Sequence, residues 1–91
     1  MSTDNKLKTS IALKYDHSGA PTIAASGSGY LGREILDRAR DANVPVVEDA
    51  KLAGLLSMVP IGDEIPTELY QAVAEVLVFV LRLELTLDES A

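Results

Sequence analysis

Cysteine is absent from this 91-residue chain, which excludes disulfides, thiolate metal sites and a cysteine nucleophile together. Tryptophan is also absent, and histidine occurs once. That residue, His17, sits in a polar turn with no second histidine to complete a transition-metal site, so no metal is expected. No serine stands in a G-x-S-x-G elbow, which leaves hydrolase chemistry without visible apparatus. Positive charge is scarce: eight Lys and Arg face fourteen Asp and Glu for a net charge of -6, and the basic residues form no run. Such a surface repels phosphate backbones and anionic lipids, so nucleic acid is not an expected partner. Long apolar runs are missing too. The most apolar run, Val76 to Leu81, falls far short of the ~20 residues that a membrane-spanning helix needs, and direct membrane insertion is not expected. After Met1 the chain continues Ser-Thr-Asp-Asn-Lys, without the apolar stretch of a secretory signal. A cytoplasmic location is the expectation.

What is present is globular composition, with 47% hydrophobic and 24% charged residues, enough for one domain with a small core. From Thr9 to Tyr15 the residues alternate, placing Ile11, Leu13 and Tyr15 on one face of a half-buried strand. Asp16-His17-Ser18-Gly19 supplies turn chemistry, and Pro21 to Ser26 is a second extended run, so the two predict an antiparallel hairpin. Leu31, Ile35, Ala39 and Ala42 then recur at helical spacing, with Arg33/Asp37 and Glu34/Arg38 four apart as candidate surface ion pairs. Asn43 suits a left-handed cap at the end of that helix. Val44-Pro-Val-Val reads as a third, buried strand, reached by a strand-helix-strand crossover that would make the sheet mixed.

Asp49 is placed to cap a second helix carrying Leu52, Ala53, Leu55 and Leu56 inward, closed by Pro60 and Gly62. Pro66, at a first helical position, opens a long helix through about Leu83. Leu69, Val73, Val76, Val80 and Leu83 form one apolar stripe on it, and Tyr70, Ala74, Leu77 and Leu81 form a second; Glu68, Gln71, Glu75 and Arg82 make a polar edge. A helix apolar over so much of its circumference needs cover on two sides, from the second helix or from a partner protein. The expected fold is α/β (α+β), a small mixed β-sheet surrounded by helices. Residues 1–8 read as a flexible polar segment, 9–85 as the domain and 86–91 as an acidic tail. The carboxylate pairs Glu48/Asp49 and Asp63/Glu64 each precede a helix, where negative charge complements the N-terminal dipole without any catalytic role.

One motif is tempting as chemistry. Gly27-Ser28-Gly29-Tyr30-Leu31-Gly32 is a literal G-x-G-x-x-G between a strand and a helix, and Glu48 and Asp49 follow at about the ~20-residue interval of a dinucleotide-binding unit. Gly27, Gly29 and Gly32 could let a pyrophosphate approach the helix N-terminus. The chain has a single crossover, however, and so lacks the second mononucleotide-binding half. The competing reading is a tight strand-to-helix turn in which glycine lets the helix approach the sheet closely.

Larger blocks carry a family resemblance. Ile11-Ala-Leu-Lys-Tyr-Asp, Ala20-Pro21, Val44-Pro-Val-Val-Glu-Asp and Ile61-Gly-Asp-Glu-Ile-Pro-Thr-Glu-Leu-Tyr-Gln-Ala-Val-Ala-Glu-Val-Leu occur in order and nearly without gaps. From about Ile11 to Leu83 the chain resembles the C-terminal cytoplasmic domain of the FlhB/YscU family, the export-switch components of type III secretion. The resemblance implies a small mixed sheet surrounded by helices. Its members carry Asn-Pro-Thr-His just before the first strand and cleave themselves after the asparagine by side-chain cyclisation. Here the corresponding residues are Asn5, Lys6, Leu7 and Lys8. The asparagine matches, but Lys6 replaces the proline and Lys8 the histidine, so no autocleavage is expected. The family's membrane-spanning half has no counterpart in this sequence, which reads as a stand-alone copy of the cleaved fragment.

The implied function is non-enzymatic and cofactor-free: a protein-binding module of the flagellar export apparatus that substitutes for or modulates FlhB in substrate recognition or specificity switching. The implied partners are the membrane part of FlhB, other export-gate proteins or export substrates. Ala20, Pro21, Ala74 and Leu77 match positions where the family presents a substrate-recognition patch, against ordinary packing as the alternative. The other functional reading is a minimal nucleotide-binding protein using Gly27, Gly29 and Gly32.

Overall fold

The computed structural model describes residues 8–90. Strands β1 (Thr9–Lys14) and β2 (Thr22–Ser28) pair antiparallel, with Thr9 opposite Ser28 and Lys14 opposite Thr22. An irregularity between Ala12 and Leu13 interrupts the register. The connection forms as its residues dictate. Asp16 Oδ1 accepts a hydrogen bond from the Ser18 amide at 3.0 Å, while His17 and Gly19 adopt φ angles of 67° and 73°. An Asx turn followed by glycine is the local chemistry that such a reversal needs.

Helix α1 (Tyr30–Asp41) packs against both strands. Its contact face is set by Gly32, the one buried residue of the helix, with Ile35, Leu36 and Ala39 half-buried beside it. Leu31, expected inward, is exposed, because the close approach at Gly32 turns its neighbour outward. Glu34 and Arg38 meet at 2.9 Å on the solvent face, whereas Arg33 and Asp37 form no such contact. Asn43 takes the left-handed conformation at φ 59° and ends the helix.

Val44–Val47 forms no ladder, so the expected third strand, and with it the mixed sheet, is not what the chain builds. The amide of Val44 is bound to the Ala39 carbonyl at 2.8 Å, Pro45 has no N–H to offer, and the valines remain substantially exposed. The sheet is instead extended by residues 62–65. The Ile23 amide donates to the Asp63 carbonyl at 2.9 Å, the Gly62 amide to the Ile23 carbonyl at 2.7 Å and the Ile65 amide to the Pro21 carbonyl at 3.0 Å. Thr22 and Glu64 are bridge partners in antiparallel sense. Every sheet pairing among the described residues is therefore antiparallel, and the architecture is α+β.

Helix α2 (Ala50–Leu56) begins where Asp49 Oδ1 accepts from the Leu52 amide at 3.0 Å, the capping interaction that its position predicts. Leu52 and Leu56, one turn apart, are buried; Leu55, expected beside them, is 44% exposed. Pro66 stands just outside a 3-10 turn (Thr67–Leu69) rather than inside the first α-turn. That turn leads into helix α3 (Tyr70–Ser90), which continues past Leu83. Ile23, Leu52, Leu56, Ile65 and Val73 form the buried core, one contribution from each of β2, the segment 62–65 and α3 and two from α2. Ile11, Leu13, Ala20, Val59, Leu69, Ala72, Val76 and Leu77 pack around it. The first apolar stripe of α3 thus faces the core as far as its middle.

Candidate protein-binding surface

The glycine loop is occupied by the fold itself. A Cβ on Gly32 would stand 2.9 Å from the Gly27 carbonyl oxygen and 3.1 Å from that of Lys8, and a Cβ on Gly27 would stand 2.6 Å from Leu31 Cβ. These two glycines are therefore the point of closest approach between α1 and the sheet. Gly29 has φ 61° and ψ -125°, a backbone state open to glycine alone. Its amide donates to the Lys8 carbonyl at 3.1 Å and its carbonyl accepts from the Arg33 amide at 3.0 Å. The central amide of the motif is thus spent on Lys8, the residue just before strand β1, not turned toward a ligand. Lys8, Ser10, Arg33, Leu36, Asp37 and Arg40 surround a shallow depression with Gly29 and Gly32.

The four residues of the expected recognition patch fall into different environments. Pro21 is buried and its carbonyl holds the Ile65 amide at 3.0 Å. Ala20 and Leu77 are half-buried and both pack on the core cluster. Ala74 is exposed. Packing thus accounts for three of the four side chains, and Ala74 alone presents itself freely to solvent. Of the residues aligned with the cleavage motif, Asn5, Lys6 and Leu7 lie outside the described residues. Lys8 is exposed, with its carbonyl engaged by Gly29.

Ala74 lies in a shallow open hollow on the outer side of α3, together with Gln71, Glu75, Val78, Phe79 and Arg82. Val78 is 46% exposed and Phe79, the only phenylalanine in the chain, 52%. Neither belongs to the two apolar stripes read from the sequence, because each falls beside the polar edge instead. A run of six apolar residues ending at Leu81 was the available sign: on a helix it cannot all face one core. Farther along, Leu81, Leu83 and Leu85 are also exposed. Tyr15 and His17 make a separate tilted ring contact at 4.9 Å near the hairpin turn. No helix among the described residues is long and apolar enough to cross a membrane.

Comparison with known proteins places this arrangement. Residues 4–80 match the model of the FlhB HrpN YscU SpaS family. The chain is 34% identical over 86 residues to the protein YlqH of Bacillus subtilis (strain 168), covering 92% of each. It is 39% identical over 84 residues to the flagellar biosynthetic protein FlhB of Escherichia coli (strain K12), covering 89% of this chain and 22% of that protein. The chain therefore spans about a fifth of the length of that FlhB. Among solved structures, the cytoplasmic domain of FlhB from Shewanella putrefaciens superposes with a TM-score of 0.79 at 31% identity, over 84% of this chain and 64% of that one. The PscU C-terminal domain superposes with a TM-score of 0.76 at 25% identity, over 80% and 96% respectively. The ordered sequence blocks, the small antiparallel sheet and the long C-terminal helix all agree with these matches, and the chain belongs to the FlhB HrpN YscU SpaS family, in the part corresponding to the C-terminal cytoplasmic domain.

Proposed function

We propose that this chain acts as a protein-binding module of the flagellar type III export apparatus, serving where the C-terminal cytoplasmic portion of FlhB serves. The observation that carries the reading is the continuous family match over residues 4–80, joined to the structural likeness to a FlhB cytoplasmic domain. In this role the chain works in the cytoplasm without catalysis or cofactor, contacting export-gate proteins, the membrane part of FlhB or export substrates. The domain comprises 9–85, between a polar segment 1–8 and the acidic residues 86–91. Lys6 and Lys8, in place of the proline and histidine of the family motif, leave it uncleaved. Support for a stand-in role comes from YlqH, a relative that is little longer than this domain alone.

Substrate recognition takes place on the surface that includes Ala74, and Ala20, Pro21 and Leu77, the other residues aligned with the family's patch, support it from the packed side. Ala74 is the residue to test. Because it is exposed, Ala74→Asp introduces charge with little effect on folding, whereas Leu77→Asp buries charge against the core. Binding of a purified early export substrate, measured by calorimetry, should weaken about tenfold in Ala74→Asp, a loss of roughly 1.4 kcal/mol. Undiminished binding by a folded Ala74→Asp protein removes the patch. Absence of binding by the unaltered chain removes the substrate-recognition role.

A further inference from the structure

The outer flank of α3 carries a regular seam that the domain does not cover. Ala74, Val78, Leu81 and Leu85 recur at alternating spacings of four and three residues, the a/d pattern of a coiled coil. Ala74 is exposed, and Val78, Leu81 and Leu85 are 46%, 44% and 62% exposed. At about 100° per residue this seam lies roughly a third of a turn away from buried Val73, so it is a face distinct from the one that meets the core. Glu75 and Arg82 border it on the solvent side, a turn or two apart.

We infer that the seam is closed by a second copy of this chain, with the two α3 helices antiparallel about a two-fold axis. The residues themselves select that occupant. Antiparallel register sets Val78 against Leu81 of the second copy and Ala74 against its Leu85, so small residues face large ones and every seam position meets an apolar side chain. The same register brings Glu75 alongside Arg82 of the second copy, and the two-fold axis makes that ion pair twice. A parallel pairing would oppose Ala74 to Ala74, leaving a gap, and would bring no Glu75 to an Arg82. Arg82 has an interaction within its own chain as well, and the several donors of a guanidinium serve both.

Each copy carries a net charge of -6, and the seam is short. The pair is therefore of the weak, concentration-dependent class. This inference does not rest on the export reading: a second copy and an export substrate compete for the Ala74 surface, and the test contains no export partner. Sedimentation equilibrium of the full chain, from micromolar to near-millimolar concentration, should give an average mass rising from 9.7 kDa toward twice that value. Leu81→Glu should hold the protein at monomer mass. Glu75→Arg should weaken association about tenfold or more through like charges across the seam, and combining it with Arg82→Glu should restore association. Circular dichroism checks that each variant keeps its helices. A monomer mass throughout overturns the inference and leaves the face to a different amphipathic helix. A dimer indifferent to Leu81→Glu and to charge reversal overturns it equally, because its interface would lie elsewhere.

Discussion

At Gly32 a single methyl group would have to sit 2.9 Å from one backbone oxygen and 3.1 Å from another. Neither oxygen can swing aside as a side-chain tip could, since both belong to the strand ends on which α1 rests. Gly32→Ala is therefore expected to destabilise the fold by about 1–3 kcal/mol, the usual cost of overpacking, in urea denaturation followed by circular dichroism. The same geometry gives the glycines a packing role that needs no nucleotide. NAD or ATP at millimolar concentration should leave the melting temperature unchanged, whereas a ligand at ~100 times its dissociation constant would add about 2.7 kcal/mol. The glycine pattern in the sequence was legible as a strand-to-helix turn but ambiguous as to purpose. Spacing alone does not say whether the Gly29 amide meets a phosphate or the Lys8 carbonyl. At Asn5 and Lys6 the prediction is chemical: intact-mass spectrometry of the stored protein should show one species at 9.7 kDa, and a pair of fragments divided after Asn5 would show that lysine can stand in for proline.

At the scale of elements, alternation in β1, turn chemistry at Asp16–Gly19 and the capping position of Asp49 were all sufficient, because each depends on neighbours in sequence. The third strand was not. Val44–Val47 has strand composition, but pairing requires free amides and an open edge, and Pro45 and the Val44–Ala39 hydrogen bond remove two amides from it. Residues 62–65 take the place beside β2 despite a Gly-Asp-Glu run with little strand propensity, because their pairing follows from the tertiary path of the chain. Tertiary context overrides propensity in such short segments. Leu55 illustrates the same limit in α2: a seven-residue helix buries Leu52 and Leu56 and has no room to turn a third leucine inward. Ile23, fully buried between β1 and the segment 62–65, joins these elements to α3. Ile23→Ala should cost about 2–5 kcal/mol, against about 1 kcal/mol or less, mostly lost helix propensity, for Ala74→Asp on the exposed face of α3, both read from urea midpoints. Equal losses at the two sites would mean that the α3 surface is packed rather than available.

At the scale of the whole molecule, a 91-residue chain with five buried hydrophobic residues among those described spends little of its long helix on its own core. The two-stripe pattern of α3 was visible in the sequence, but the structure cuts across it: Leu69, Val73 and Val76 of the first stripe and Leu77 of the second meet the core, while Leu83 of the first and Leu81 of the second stay exposed, with Val78, Phe79 and Leu85 from neither. A small domain that keeps so much apolar surface on one helix is suited to binding a partner. The blocks that align with FlhB run through both the core and this helix, so family membership was legible in the residues themselves, but the share of each residue between packing and recognition was not. Leu77 and Pro21 proved to be held by the fold, and Ala74 remained open. The most direct test of the export role is a motility and hook-length assay in cells whose FlhB has lost its own cytoplasmic domain, with and without this chain supplied in trans. The account predicts that supplying the chain restores export and swimming; a well-folded, well-expressed chain that restores neither would contradict it.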